Sequence, residues 1–227
     1  ADGSIGSWNA TSSLLAARQQ HTTVYANGYL YAIGGYDGVS ASVNTVYYAK
    51  ANANGTLSSG TATNTLPAIR AGHSSVVANG FVYAVGGSGS TTVYYAKLNG
   101  NGTVDTWRTS SANPLPITRQ YHGSVVSSGY MYIVGGQDGL SGVNDDVYYA
   151  KINADGTTGA WATNANLLPS DRYQSGVITV NGYIYVLGGA QTAGGAPVST
   201  VYYGSTNRMS VGMNLDLIGL DSSGVAS

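Results

Sequence analysis

Short runs of apolar and aromatic residues alternate with polar turn residues along almost the whole chain. "HTTVYA" (residues 21–26) and "YLYAIGG" (29–35) are runs of β-branched and aromatic residues joined by Asn27-Gly28. Asn-Gly supplies the positive φ angles of a two-residue hairpin turn, so the pair reads as two antiparallel strands. "NTVYYAK" predicts a third strand, and "GSIGSW", "GTVDTW" and "GTTGAW" predict a fourth, entered through turns such as Ala154-Asp155-Gly156. Nowhere does a 3.6-residue apolar stripe persist, so no helix is expected.

The unit returns four times. The glycine pairs Gly34-Gly35, Gly86-Gly87, Gly135-Gly136 and Gly188-Gly189 share their spacings with Arg18, Arg70, Arg119 and Arg172. Tyr47-Tyr48, Tyr94-Tyr95, Tyr148-Tyr149 and Tyr202-Tyr203 follow in phase, and Trp8, Trp107 and Trp161 recur ahead of the arginines, with Gly60 at the equivalent place in one copy. Many strand positions are apolar or aromatic on both alternating faces, as in Tyr29, Leu30, Tyr31, Ala32 and Ile33. A sheet covered on both faces by other sheets has that composition. Small four-stranded sheets packed radially, each sandwiched by its neighbours, satisfy it and protect most strand edges. The expected fold class is therefore all-β, a β-propeller of four blades.

The combination of Arg-x-x-His, "NG-Y-x-Y-x-x-GG", "VYY", Trp and "LP-x-x-R" resembles the kelch repeat, whose period is near 50 residues. The resemblance covers nearly everything from Asp2 to Gly204 and implies a propeller of six or seven blades, against the four written here. The repeats are expected at about 2–50, 51–97, 98–151 and 152–204, within a repeat region of 1–207. The chain opens on a fourth strand at Trp8 and closes its last copy on a third, so the N-terminal strand is a candidate to complete the last blade. A share in a larger propeller and a ring shared by two chains stay open beside it. Residues 208–227 leave the repeat; the alternation of Met209, Val211, Met213, Leu215 and Leu217 predicts a strand leading into another domain or partner.

Strand parity places the loops. Turns between strands one and two, and three and four, lie on one side and are tight and repetitive; those between strands two and three, and between blades, lie on the other. After the glycine pairs come "YDGVSASVNT", "SGSTT", "QDGLSGVNDD" and "AQTAGGAPVST", unequal in length and chemistry. Recognition is usually placed on such loops. Tyr36, Asp37, Gln137, Asp138, Asp145, Tyr121 and Tyr173 are the candidate ligand-binding residues, with Gln20 and Gln120 behind them. Most of the 19 tyrosines sit at repeated strand positions and read as blade packing. The arginine series reads as a lock bonding carbonyls of adjacent blades, which the five donors of a guanidinium suit. His21, His73 and His122 recur three residues later, at positions too far apart around a ring to converge on one metal ion, so no metal or other cofactor is expected.

Charge narrows the function. Only 8% of residues are charged and the net charge is −1, which leaves no electrostatic footprint for nucleic acid. No run of about 20 apolar residues exists to span a membrane. The chain contains neither Glu nor Cys, which removes Glu-based acid–base pairs, thiolate chemistry and a Cys–Tyr radical cofactor, and with them the oxidase branch implied by the resemblance. No P-loop, dinucleotide fingerprint or nucleophile elbow is written. Solubility must come from Ser, Thr, Asn and Gly, a composition that leans towards a bacterial extracellular or cell-surface protein; Asn9, Asn54 and Asn101 head sequons that matter only in a eukaryotic secretory host. The reading is a non-enzymatic recognition, adhesion or scaffold module that binds glycan or protein on the variable loop face. An architectural subunit of a surface assembly or filament is the first alternative, and self-association or attachment to further domains of a longer chain is expected among its partners. A hydrolase using loop Asp residues is the second.

Overall fold

A computed structural model describes residues 3–39, 41–139 and 142–206, and over these the chain is all-β. The first blade is the antiparallel sheet β1 (Thr22–Ala26), β2 (Tyr29–Ile33), β3 (Val46–Lys50) and β4 (Thr61–Thr63). The second is β5 (Ser74–Ala78), β6 (Phe81–Val85), β7 (Val93–Lys97) and β8 (Arg108–Thr109), and the third β9 (Gly123–Ser127), β10 (Tyr130–Val134), β11 (Val147–Lys151) and β12 (Ala162–Thr163). The fourth has three strands: β13 (Gly176–Val180), β14 (Tyr183–Leu187) and β15 (Val201–Ser205). These are the four blades of a β-propeller. Its first strands line the axis: β1 packs on β5, β5 on β9 and β9 on β13, whereas no contact of comparable extent joins β13 to β1. The described blades thus form an open arc.

Each hairpin turns where the sequence places it. Asn27-Gly28, Asn79-Gly80, Ser128-Gly129 and Asn181-Gly182 all have both central residues at positive φ, the primed turn that matches strand twist. In the third copy serine adopts the conformation that asparagine takes elsewhere.

The two-faced apolar pattern resolves into blade-on-blade cores. Alternate residues of one strand serve opposite neighbours: Val82 and Ala84 join the cluster with the first blade (Tyr31, Ile33, Val46), and Tyr83 and Val85 join the cluster with the third (Met131, Ile133, Tyr148). A further cluster unites Val125, Val134 and Val147 with Ile184 and Val186 of the fourth blade. Burial of an aliphatic or aromatic side chain contributes about 1.5–3 kcal/mol, so these clusters dominate stability.

The glycine pair exists because another blade sits against it. The first glycine faces the carbonyl of the next blade's arginine, and the N–H of the second donates to that oxygen: Gly35 to Arg70, Gly87 to Arg119 and Gly136 to Arg172, at 2.6–2.7 Å. A methyl added at Gly86 (φ +62°) would lie 2.5 Å from the Arg119 oxygen, while one at Gly188 (φ +60°) would meet only the Val198 oxygen at 3.2 Å. Gly86→Ala is therefore expected to lose about 2–4 kcal/mol, and Gly188→Ala only the left-handed penalty of about 1–2 kcal/mol. Urea midpoints of the two variants test this, and equal losses would mean that the next blade is not the cause.

One sequence expectation about the ends is placed differently. The segment around Trp8 forms no strand with β15; Thr11 and Ser12 instead hydrogen-bond Leu57 of the first blade. The expected strand in residues 208–227 lies outside the described residues.

Candidate functional site

The two families of variable segment meet on one face, as strand parity requires. Gln19 and Tyr36 exchange backbone hydrogen bonds at 2.9 and 2.7 Å, Gln120 and Gln137 at 2.9 and 2.8 Å, and Tyr173 and Ala190 at 3.0 Å each. Each inter-blade linker is thus stitched to the loop that follows the glycine pair of its own blade.

One position of that linker, two residues after each arginine, forms a chain of hydrogen bonds across the blades. The Gly72 N–H donates to Gln20 O (3.1 Å), Tyr121 N–H to Gly72 O (2.7 Å) and Gln174 N–H to Tyr121 O (2.9 Å). All four residues have φ between +53° and +63°, and three of them are not glycine. A left-handed residue bearing a side chain costs about 1–2 kcal/mol, and such residues concentrate at functional sites. The Tyr121 ring lies over Gly72, where an added methyl would be 2.8 Å away, and its hydroxyl donates to Gln20 Oε1 at 3.2 Å. Tyr121 also meets Tyr173 edge-to-face at 5.9 Å between centroids. Gln20, Tyr121, Tyr173 and Gln174 therefore make one polar and aromatic rim near the axis, partly or fully open to solvent.

The structure sorts the candidates. Gln20, Tyr121 and Tyr173 come together at the rim. Tyr36, Gln120 and Gln137 bind through their backbones in the loop stitching. Asp37 accepts from the Val39 and Ala41 N–H groups, and Asp138 from the Gly142 N–H, so these carboxylates brace their own loops. Asp145 lies near Asp171, as does Asp146; burial, then the charges of Asp145 and Asp146, raise the Asp171 carboxyl above its usual range. The sequence reading overlooked Gln174. Its signal was available, because Gln20 and Tyr121 stand at the same offset from their arginines.

The repeated cations are structural. Arg119 Nη2 contacts Asp146 Oδ2 at 2.7 Å and donates to the Tyr148 hydroxyl at 3.1 Å, with its guanidinium over the Tyr148 ring. Arg70 binds Ile69 O, Ser90, Thr92 and Tyr94, and Arg172 binds Ser170, Asp171 O, Thr200 and Tyr202. The side chains thus lock loops of their own blade. The inter-blade part of the lock is the arginine's backbone carbonyl, which composition could not reveal. His73 Nε2 pairs with Thr22 Oγ1 (2.8 Å) and His122 Nε2 with Ser74 Oγ (2.7 Å), each reaching the preceding blade. Among the described residues no three His, Cys, Asp or Glu side chains are grouped to hold a metal ion. No helix of the described residues is long and apolar enough to cross a membrane.

Comparison with known proteins agrees with this architecture. A family profile described as the KLHDC2/KLHL20/DRC7 Kelch-repeats domain matches residues 4–189. No curated protein sequence is detectably similar to the chain. The solved structure of YjhT superposes with a TM-score of 0.67 at 14% identity, covering 86% of this chain and 65% of that one, so the chain spans about two thirds of that protein's length. Propellers of this kind generally serve as protein-binding or scaffold modules and are generally non-enzymatic. Four in-phase repeats, the glycine pairs seated on the next blade's arginine carbonyl, and the profile match together place the chain in the kelch-repeat family.

Proposed function

We propose that the chain is a non-enzymatic recognition module, working outside the cell or at its surface, that holds a protein segment over the variable loop face. The observation that carries this reading is the rim of Gln20, Tyr121, Tyr173 and Gln174, held by a strained, hydrogen-bonded backbone chain. Tyrosine offers large contact area at low entropic cost, and glutamine offers both donor and acceptor to a peptide backbone. The four rim residues are uncharged, so contacts to them are neutral hydrogen bonds and ring contacts.

Selection of peptides from a random display library against the immobilised protein tests this. Enriched peptides should lose roughly tenfold or more in affinity on Tyr121→Ala or Tyr173→Ala, the loss typical of an aromatic anchor. Peptides indifferent to both substitutions would sink the reading. A glycan is the second candidate, favoured by two tyrosine rings beside two glutamines. A glycan-array signal lost with the same substitutions, in the absence of peptide enrichment, would select it.

A further inference from the structure

The three blade-on-blade contacts within the chain are built from equivalent positions, and among the described residues the two ends of the arc carry one unused half each. On the last blade, the face turned away from the third blade presents Ile178, Tyr183, Leu187, Val201 and Tyr203 in register. Tyr83, Val85, Val93 and Tyr95 hold the same face of the second blade and are 0–6% exposed under the third; Leu187, Val201 and Tyr203 are 42%, 54% and 72% exposed. On the first blade, Leu14 stands where Leu66 and Leu115 stand in the next two copies. Leu66 and Leu115 are 1% and 2% exposed, Leu14 47%.

The details match as plug and socket. In the second and third blades the turn before the fourth strand presents a left-handed glycine to an aromatic pair of the preceding blade: Gly102 to Tyr29 and Tyr48, Gly156 to Phe81 beside Tyr95. The same turn in the first blade, with the same Asn52–Thr56 and Gly55–Asn52 hydrogen bonds, leaves Gly55 with nothing within 4 Å. On the last blade, Tyr183 and Tyr203 keep the edge-to-face geometry of the sockets, 6.0 Å and 62° against 6.0 Å and 62° for Phe81–Tyr95, with no glycine on them among the described residues. The Gly189 N–H and the Arg18 carbonyl, which bond across every internal contact, have no such partner in the chain among the described residues.

The strand count matches too. The N-terminal segment lies where the fourth strand of a preceding blade would lie: Thr11 Oγ1 accepts from the Leu57 N–H as Thr63 Oγ1 accepts from that of Val104. It carries a fourth strand's residues without a third strand beside it among the described residues. β15 is a third strand with no fourth beside it among the described residues.

We propose that copies of this chain associate head to tail, the first blade of one copy docking on the last blade of the next and lending residues around Trp8–Thr11 as its fourth strand. The register follows from Tyr47 opposite Ala62 and Tyr148 opposite Thr163, and places Ala10 opposite Tyr202 of the next copy. The contact continues an interface already made three times, and every element of it is present in this chain. It is heterologous, so it generates a closed ring if the rotation closes and a filament if it does not. It goes beyond the recognition reading and stands independently of it.

The test is solution mass by analytical ultracentrifugation of the full chain up to about 100 μM, a range that detects contacts of micromolar strength. The wild type should form dimers or a ladder of higher species, with a blue shift of Trp8 emission, since Trp8 is 88% exposed in the single copy. Trp8→Asp and Tyr203→Asp, one at each end and both at exposed positions, should each be monomeric with unchanged circular dichroism. Mixed together, these two variants retain one intact pair of ends and should form capped dimers and nothing larger. A monomeric wild type, variants that associate as the wild type does, or a mixture that stays monomeric would each overturn the proposal.

Discussion

Arg119→Ala should lower folding stability by about 3–5 kcal/mol, read as a shift of the urea midpoint, because it empties a fully buried cation site and strands its partner. The Arg119 side chain has no solvent exposure, and Asp146 beside it is only partly open. Removal leaves the Asp146 carboxylate and the Tyr148 hydroxyl without their charged donor and opens a void under the Tyr148 ring. An ion pair is costly to break and much cheaper to replace, so Arg119→Met combined with Asp146→Asn should recover part of the loss. Arg70 and Arg172 work without a side-chain carboxylate, on hydroxyls and carbonyls alone. A loss at Arg119 no larger than that at an exposed position such as Arg108 would mean that the repeated arginine is not a lock at all.

The blade plan was legible because each copy repeats its local signals in phase. Asn27-Gly28 dictates a primed turn by backbone sterics alone, and two-sided apolar strands demand neighbours on both faces. The loop face was legible for the same reason, since strand parity fixes which connections share a side. What escaped was whatever depends on a second blade's backbone. Arg18, Arg70, Arg119 and Arg172 announce themselves as polar and recurrent, but only coordinates reveal that the carbonyl makes the inter-blade bond while the guanidinium serves its own blade. Asp37 and Asp138 have the composition of ligand contacts, yet short-range N–H groups claim them first, a competition that loop sequence does not settle. Gln174 was hidden in plain phase: its importance comes from a left-handed φ shared with Gln20 and Tyr121, not from its chemistry.

Acid should weaken the fold from about pH 6.5 downwards, through His73 and His122. Burial holds both imidazoles neutral, with pKa values lowered to about 3; Arg70 and His21 add repulsion at His73, and His73 and Arg119 at His122. In the unfolded chain a histidine takes its proton near pH 6.5. The folded pKa is the depressed one, so the stabilisation is present in full above pH 6.5 and is lost as pH falls from there towards 3. Between pH 7 and 5 each histidine forfeits about 2 kcal/mol, and the two together about 4 kcal/mol, at a slope approaching 2.7 kcal/mol per pH unit. The loss concentrates at the blade junctions, since His73 bonds Thr22 and His122 bonds Ser74 of the preceding blade. Urea midpoints measured at half-unit intervals from pH 7.5 to 5 should fall accordingly, and the double variant His73→Gln, His122→Gln should flatten the slope whatever its own stability. A slope that survives in the double variant would assign the acid sensitivity elsewhere, with the partly buried His21 as the remaining imidazole in that range.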